Sequence, residues 1–113
     1  MIDVEQNSAS LKIDKAIYLR ILAKATKQTQ QDFSDFEFAL SSDDFVKVQA
    51  ISHRWKGDYD NMRITALSSL ARQLNEIVKT TKDKKKMIEL FGDFKNYFRQ
   101  LNQFVDNIQG IKQ

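Results

Sequence analysis

The chain has 113 residues, with 18 lysines and arginines against 15 aspartates and glutamates, a net charge of +3, one histidine and no cysteine. That length holds one domain with its own core and leaves no room for a catalytic kinase domain beside it. Without cysteine there is no disulfide, thiol catalysis or cysteine metal site, and one histidine is too few for a structural zinc or transition-metal centre. No apolar run approaches the roughly 18 residues of a membrane span. Met1-Ile2-Asp3-Val4-Glu5 begins with acids where a signal peptide carries bases, so the expectation is a soluble, cytoplasmic protein.

Zero prolines and three glycines favour long helices joined by short turns. Residues 1–13 read as a partly ordered arm, with Leu11 and Ile13 packing over one end of a bundle. The first long helix is predicted from an Asp14 cap to about Leu40, burying Ile17, Ile21, Ala25, Phe33, Phe36 and Leu40. Its polar middle, Thr26 to Asp32, is a place for a kink. Ser41-Ser42-Asp43-Asp44 supplies turn and N-cap chemistry for the next helix, which extends to about Asn61. A third helix, about Thr65 to Lys79, offers Leu67, Leu70, Leu74 and Ile77. The fourth, about Asp83 to Gln109, offers Met87, Phe91, Phe94, Phe98, Leu101, Val105 and Ile108. The aromatic spacing of three and four is what burial of a helix face requires, so this stripe is read as core. The expected fold is all-α, an up-down four-helix bundle with a short N-terminal arm or extra helix, in a single domain over residues 1–113.

The second helix carries the chemistry. At about 100° per residue, Val48, Ile51, Trp55, Tyr59 and Met62 fall within an arc of roughly 80°, the stripe such a helix buries. His53 lies about 160° from the centre of that arc, so it faces outward. Its neighbours on the wheel are Val46, Gln49, Ala50, Lys56, Gly57 and Asp60, an apolar and small-residue patch where a purely solvated face would be mostly charged. Lys56 and Gly57 stand one turn above His53. A glycine inside a helix costs roughly 1 kcal/mol relative to alanine, and close approach of another backbone is the usual physical reason for one. An imidazole with a cation and a bare patch beside it is laid out to carry a phosphoryl group that another protein reaches.

The string His53-Arg54-Trp55-Lys56-Gly57 resembles the His-x-x-Lys-Gly signature of histidine-containing phosphotransfer (HPt) domains, and the likeness in pattern runs from about Ile13 to Ile108. The family usually has leucine at the place of Trp55, a small residue at Asp58 and a glycine at Arg63, where the chain breaks after this helix. A non-glycine residue at that break pays for positive φ, a role open to Asn61. The resemblance implies a phosphocarrier in a multistep phosphorelay: His53 accepts a phosphoryl group from a receiver aspartate or a kinase and passes it to another receiver aspartate. It implies that Lys56 offsets charge on the transferred oxygens and that Gly57 clears space for the incoming loop. An amide on the next helix falls at Asn75, one methylene shorter than the family's usual glutamine. Val46, Gln49, Ala50 and Asp60 would then lie under the docked partner. The partners implied are response-regulator receiver domains or a hybrid histidine kinase. No cofactor is expected on this chain, the magnesium being the receiver's, and the carrier is expected to be a monomer without kinase activity.

Two other classes remain compatible with these residues. Asp60, on the His53 face about 10 Å along the helix, and Arg63 suggest an adaptor or inhibitor that no longer accepts phosphate. The run from Lys79 to Lys86 holds five lysines and suggests nucleic acid, but a short lysine run without interleaved aromatics reads first as a solvated loop. The expected partner is therefore protein, with neither nucleic acid nor membrane. No Gly-rich phosphate loop, paired carboxylate motif or Ser-His-Asp arrangement is visible.

Overall fold

The structure is a computed structural model that describes residues 2–112, with side chains through residue 108. Five helices occur among the described residues: α1 Val4–Ser10, α2 Lys15–Ser41, α3 Phe45–Asn61, α4 Thr65–Lys79 and α5 Lys84–Lys112. Helices α2 to α5 form the all-α bundle, each packed against its chain neighbour and α2 also against α5, which closes the ring. No described helix is long and apolar enough to cross a membrane.

The caps follow the sequence signals. Asp14 Oδ1 accepts the Ala16 amide at 3.2 Å, Asp44 Oδ1 that of Lys47 at 3.2 Å, and Asp83 Oδ1 that of Lys86 at 3.1 Å. Each satisfies an amide that the first helical turn leaves unpaired. The helix ends were less legible. Lys12, Asp43, Arg63 and Lys82 each take a positive φ, between 54° and 62°, and each of the first three is followed by an amide that reaches back five residues: Ile13 to Ser8, Asp44 to Ala39, and Ile64 to Tyr59. This is the Schellman closure, usually built on glycine. Arg63 itself takes the left-handed position, and Asn61 stays helical. The Arg63 guanidinium holds the strained turn, donating to the Asp60 carbonyl at 3.2 Å and to Ser10 Oγ at 3.3 Å.

The arm expected at residues 1–13 contains a formed helix. Asp3 caps α1 by accepting the Gln6 amide at 2.9 Å, Ser8 is buried, and Asn7 donates to the Tyr18 hydroxyl at 3.1 Å. The buried face of α2 also differs from expectation in its first half. Ile17 and Ile21 are 43% and 46% exposed, and the buried positions are Tyr18, Leu22, Thr26, Thr29, Asp32, Phe36, Ala39 and Leu40. Polar pairing explains this rotation. The Tyr18 hydroxyl donates to the Met62 carbonyl at 2.7 Å, and the hydroxyls of Thr29 and Tyr59 lie 2.7 Å apart. Turning Ile17 inward would break bonds that are costly to leave unmade in the interior. The polar stretch expected to kink lies within one continuous helix and supplies its inner hydrogen bonds.

Trp55 of α3 is fully buried. It stacks on Phe94 with centroids 4.5 Å apart and 14° between planes, meets Phe36 at 4.9 Å, and takes the edge of Phe33 at 5.9 Å. Its Nε1 donates to Asp32 Oδ2 at 3.0 Å, while the same carboxylate pairs with the Arg54 guanidinium and accepts from Gln28 at 3.1 Å. One buried carboxylate thus ties α2 to two adjacent residues of α3. Asp32→Ala leaves the indole N–H without its acceptor and is expected to cost about 2–4 kcal/mol, whereas Asp32→Asn, which keeps an acceptor oxygen, should cost clearly less. Urea denaturation of the three proteins checks the order.

Candidate functional site

Burial of Val48, Ile51, Trp55, Tyr59 and Met62 turns the opposite face of α3 to solvent. His53 is exposed on that face with Gln49, Ala50 and Asp60; Val46 is 81% exposed, and Lys56 and Gly57 are partly exposed. All six neighbours expected around the histidine therefore share its surface. A methyl group built on Gly57 would meet nothing within 4 Å, so no internal contact demands glycine there. Gly92 of α5 is equally open, which makes the position of Gly57 beside His53, and not openness alone, the informative feature.

Both flanks of this face are braced. On one side Asn75 of α4 is 3% exposed, and its amide nitrogen donates to the Gln49 carbonyl at 3.1 Å and to Ser52 Oγ at 3.3 Å. Both N–H bonds of Asn75 are thereby spent on holding α4 against α3, and neither is left for a group on His53. On the other side the Asp32 carboxylate grips Arg54 and Trp55. Asp32 escaped the sequence reading because a carboxylate in a polar stretch looks solvated. Its spacing from Leu22, Thr29 and Phe36 was the available signal, and it becomes visible only when polar residues are admitted to a buried stripe.

The electrostatics are mixed. Burial pushes the Asp58 carboxyl above its ordinary value, the nearby Arg54 charge pulls it down, and the Asp32 charge adds to the rise. Asp58 borders a groove of about 570 Å³ between α2 and α3, walled also by Ile21, Gln28 and Met62 and not by His53. Burial likewise raises the hydroxyls of Tyr18 and Tyr59, which stay neutral in the core. In the lysine run, Lys84 pairs with Asp43 at 2.9 Å and Lys86 with Glu89 at 3.6 Å. Lys84 thus ties the start of α5 to the turn before α3, and the Lys86 pair lies within α5 itself.

Comparison of the chain with protein-family models, with curated proteins and with solved structures returns no match.

The Asp58 shift carries a pH signature. A carboxyl raised in the folded state favours folding while protonated, and its ionisation costs stability as pH climbs through the raised value. Asp58→Asn is therefore expected to be more stable than the parent at pH 7, by roughly a few tenths of a kcal/mol given the remaining contact with water. The two proteins should converge below the ordinary value of 3.8. Urea midpoints across that range check the sign.

Proposed function

We propose that this protein is a histidine phosphocarrier of the HPt type, acting in a cytoplasmic multistep phosphorelay. The observation that carries the reading is His53 standing outward on α3, opposite the buried Trp55 stripe, with Lys56 and an unfilled Gly57 one turn away. An imidazole nitrogen attacks phosphorus with its own lone pair and without a dedicated base. The N–P bond forms as the bond from phosphorus to the donor's aspartyl oxygen breaks. The aspartate leaves as a carboxylate, and the ring carries the phosphoryl group and one positive charge. Return to a second receiver aspartate is the same step reversed. Lys56 offsets charge on the phosphoryl oxygens, and the vacancy at Gly57 admits the partner's loop. Positioning and charge are most of what such a transfer requires, and the magnesium is expected on the receiver.

An adaptor that binds a receiver without taking phosphate is the second reading, and exposed Asp60 on the same face favours it. Its charge opposes a phosphoryl dianion, but at about 10 Å of helix rise the repulsion is mild and screened.

Incubation with phosphorylated receiver domains distinguishes the two. The carrier takes up an acid-labile, base-stable label that His53→Gln abolishes while keeping the cooperative thermal transition of the parent. A bound but unlabelled protein would favour the adaptor. Gly57→Leu is expected to slow transfer from a receiver by at least about tenfold, the scale of a small misplacement at a reacting centre, measured by rapid quench. Transfer at the parental rate would remove the clearance role of Gly57.

A further inference from the structure

Arg72 lies on α4 one turn before Asn75, is exposed, and has no ion-pair partner among the described residues. Glu76, four residues on, is the carboxylate nearest to it along the helix and does not pair with it. The register of α4 against α3 places Arg72. Asn75 bonds Gln49 and Ser52, and the connecting turn is closed by the Ile64 amide on the Tyr59 carbonyl at 2.9 Å, so the helices run antiparallel with Arg72 level with His53. Three residues back from Asn75 is about 4.5 Å toward the C-terminal end of α3. Helical side chains lean toward their own N-terminus, which for α4 is the direction of Lys56 and Gly57. Around the axis, Arg72 is about 60° from Asn75 on its solvent side, and Lys56 is about 40° from Ser52 on its solvent side. Lys56 and Arg72 therefore line the outer seam between α3 and α4 beside His53.

We propose that Arg72 is a second anion-binding side chain of this site, which with Lys56 holds the terminal oxygens of a phosphoryl group on His53. This inference rests on the carrier reading and deepens it. A lysine offers one compact charge, whereas a guanidinium adds a planar fork that fits two oxygens of the same phosphoryl group. The two cations also offset the opposing charge of Asp60 on the same face.

The test uses the whole protein and phosphoramidate, a small donor that needs no partner. In that reaction a neutral imidazole displaces ammonia from the ammonium form of phosphoramidate. The P–N bond of the donor breaks as the ring N–P bond forms, the product is a phosphoimidazolium, and charge is conserved. Arg72→Gln is expected to lower the rate by about three- to fivefold, the scale of one exposed charge pair, with its thermal transition unchanged. Arg72→Lys, which keeps the charge and loses the fork, should recover part of the loss, and added salt should narrow the gap. Arg20→Gln, an exposed arginine on α2, controls for net charge. A rate for Arg72→Gln within twofold of the parent, or a loss matched by Arg20→Gln, overturns the assignment. Titration with inorganic phosphate, followed through the His53 ring resonances, gives a readout that survives failure of the carrier reading. If His53 takes no phosphoryl group, weaker phosphate binding by Arg72→Gln still supports the anion site. Equal shifts in both proteins, or none in the parent, reject it.

Discussion

Two residues along a helix is a turn of about 200°, so burying Trp55 presents His53 to solvent. The arrangement of the site depends on this constraint. A fully buried tryptophan, stacked on Phe94 and edged by Phe33, fixes the rotation of α3 about its axis more firmly than aliphatic contacts alone, because the ring has both a preferred packing geometry and a directional N–H. Asp32 takes that N–H and holds Arg54 with its other oxygen. Asn75 grips the opposite edge of α3 through Gln49 and Ser52. The histidine is thus placed on a helix whose rotation is set from three sides.

The same residues show how far the sequence could be read. Every apolar position expected inside α3 is buried, and α3 runs from its Asp44 cap to the Schellman end at Arg63 as the turn residues require. Met87, Phe91, Phe94, Phe98, Leu101 and Val105 of α5 are buried as their spacing predicts. These segments were legible because their inward faces are almost wholly apolar. The inner face of α2 was less so, since Tyr18, Thr26, Thr29 and Asp32 enter the core through hydrogen bonds that a hydrophobic pattern does not register. The turn at Arg63 was misread for a related reason. The guanidinium contacts that support a left-handed arginine come from Asp60 and from Ser10 of α1, over fifty residues away in the chain. Asn75 was expected beside His53 as a supporting amide; its bonds run to Gln49 and Ser52 instead, a bracing role that follows from distances and not from spacing.

Charge divides the molecule in the same way. Where cations meet acids they fasten helices together, as Lys15 does with Glu5, Lys95 with Glu37 and Lys84 with Asp43. Exposed pairs of this kind contribute little to stability, so their value lies mainly in orienting turns. Lys56 and Arg72 are in none of these pairs. A rigid helix face with unpaired cations would suit the proposed carrier role, in which the nucleophile is offered to more than one partner without rearranging.

The most direct measurement is phosphorus NMR of the protein after transfer from a phosphorylated receiver domain, read together with the Trp55 indole N–H resonance. The expected result is a single phosphoramidate signal correlated with the ring protons of His53, with the indole resonance unmoved because the braced helix does not rotate. A phosphorus signal on any other residue, or none under conditions where the receiver binds, would contradict the assignment of His53 as the carrier group.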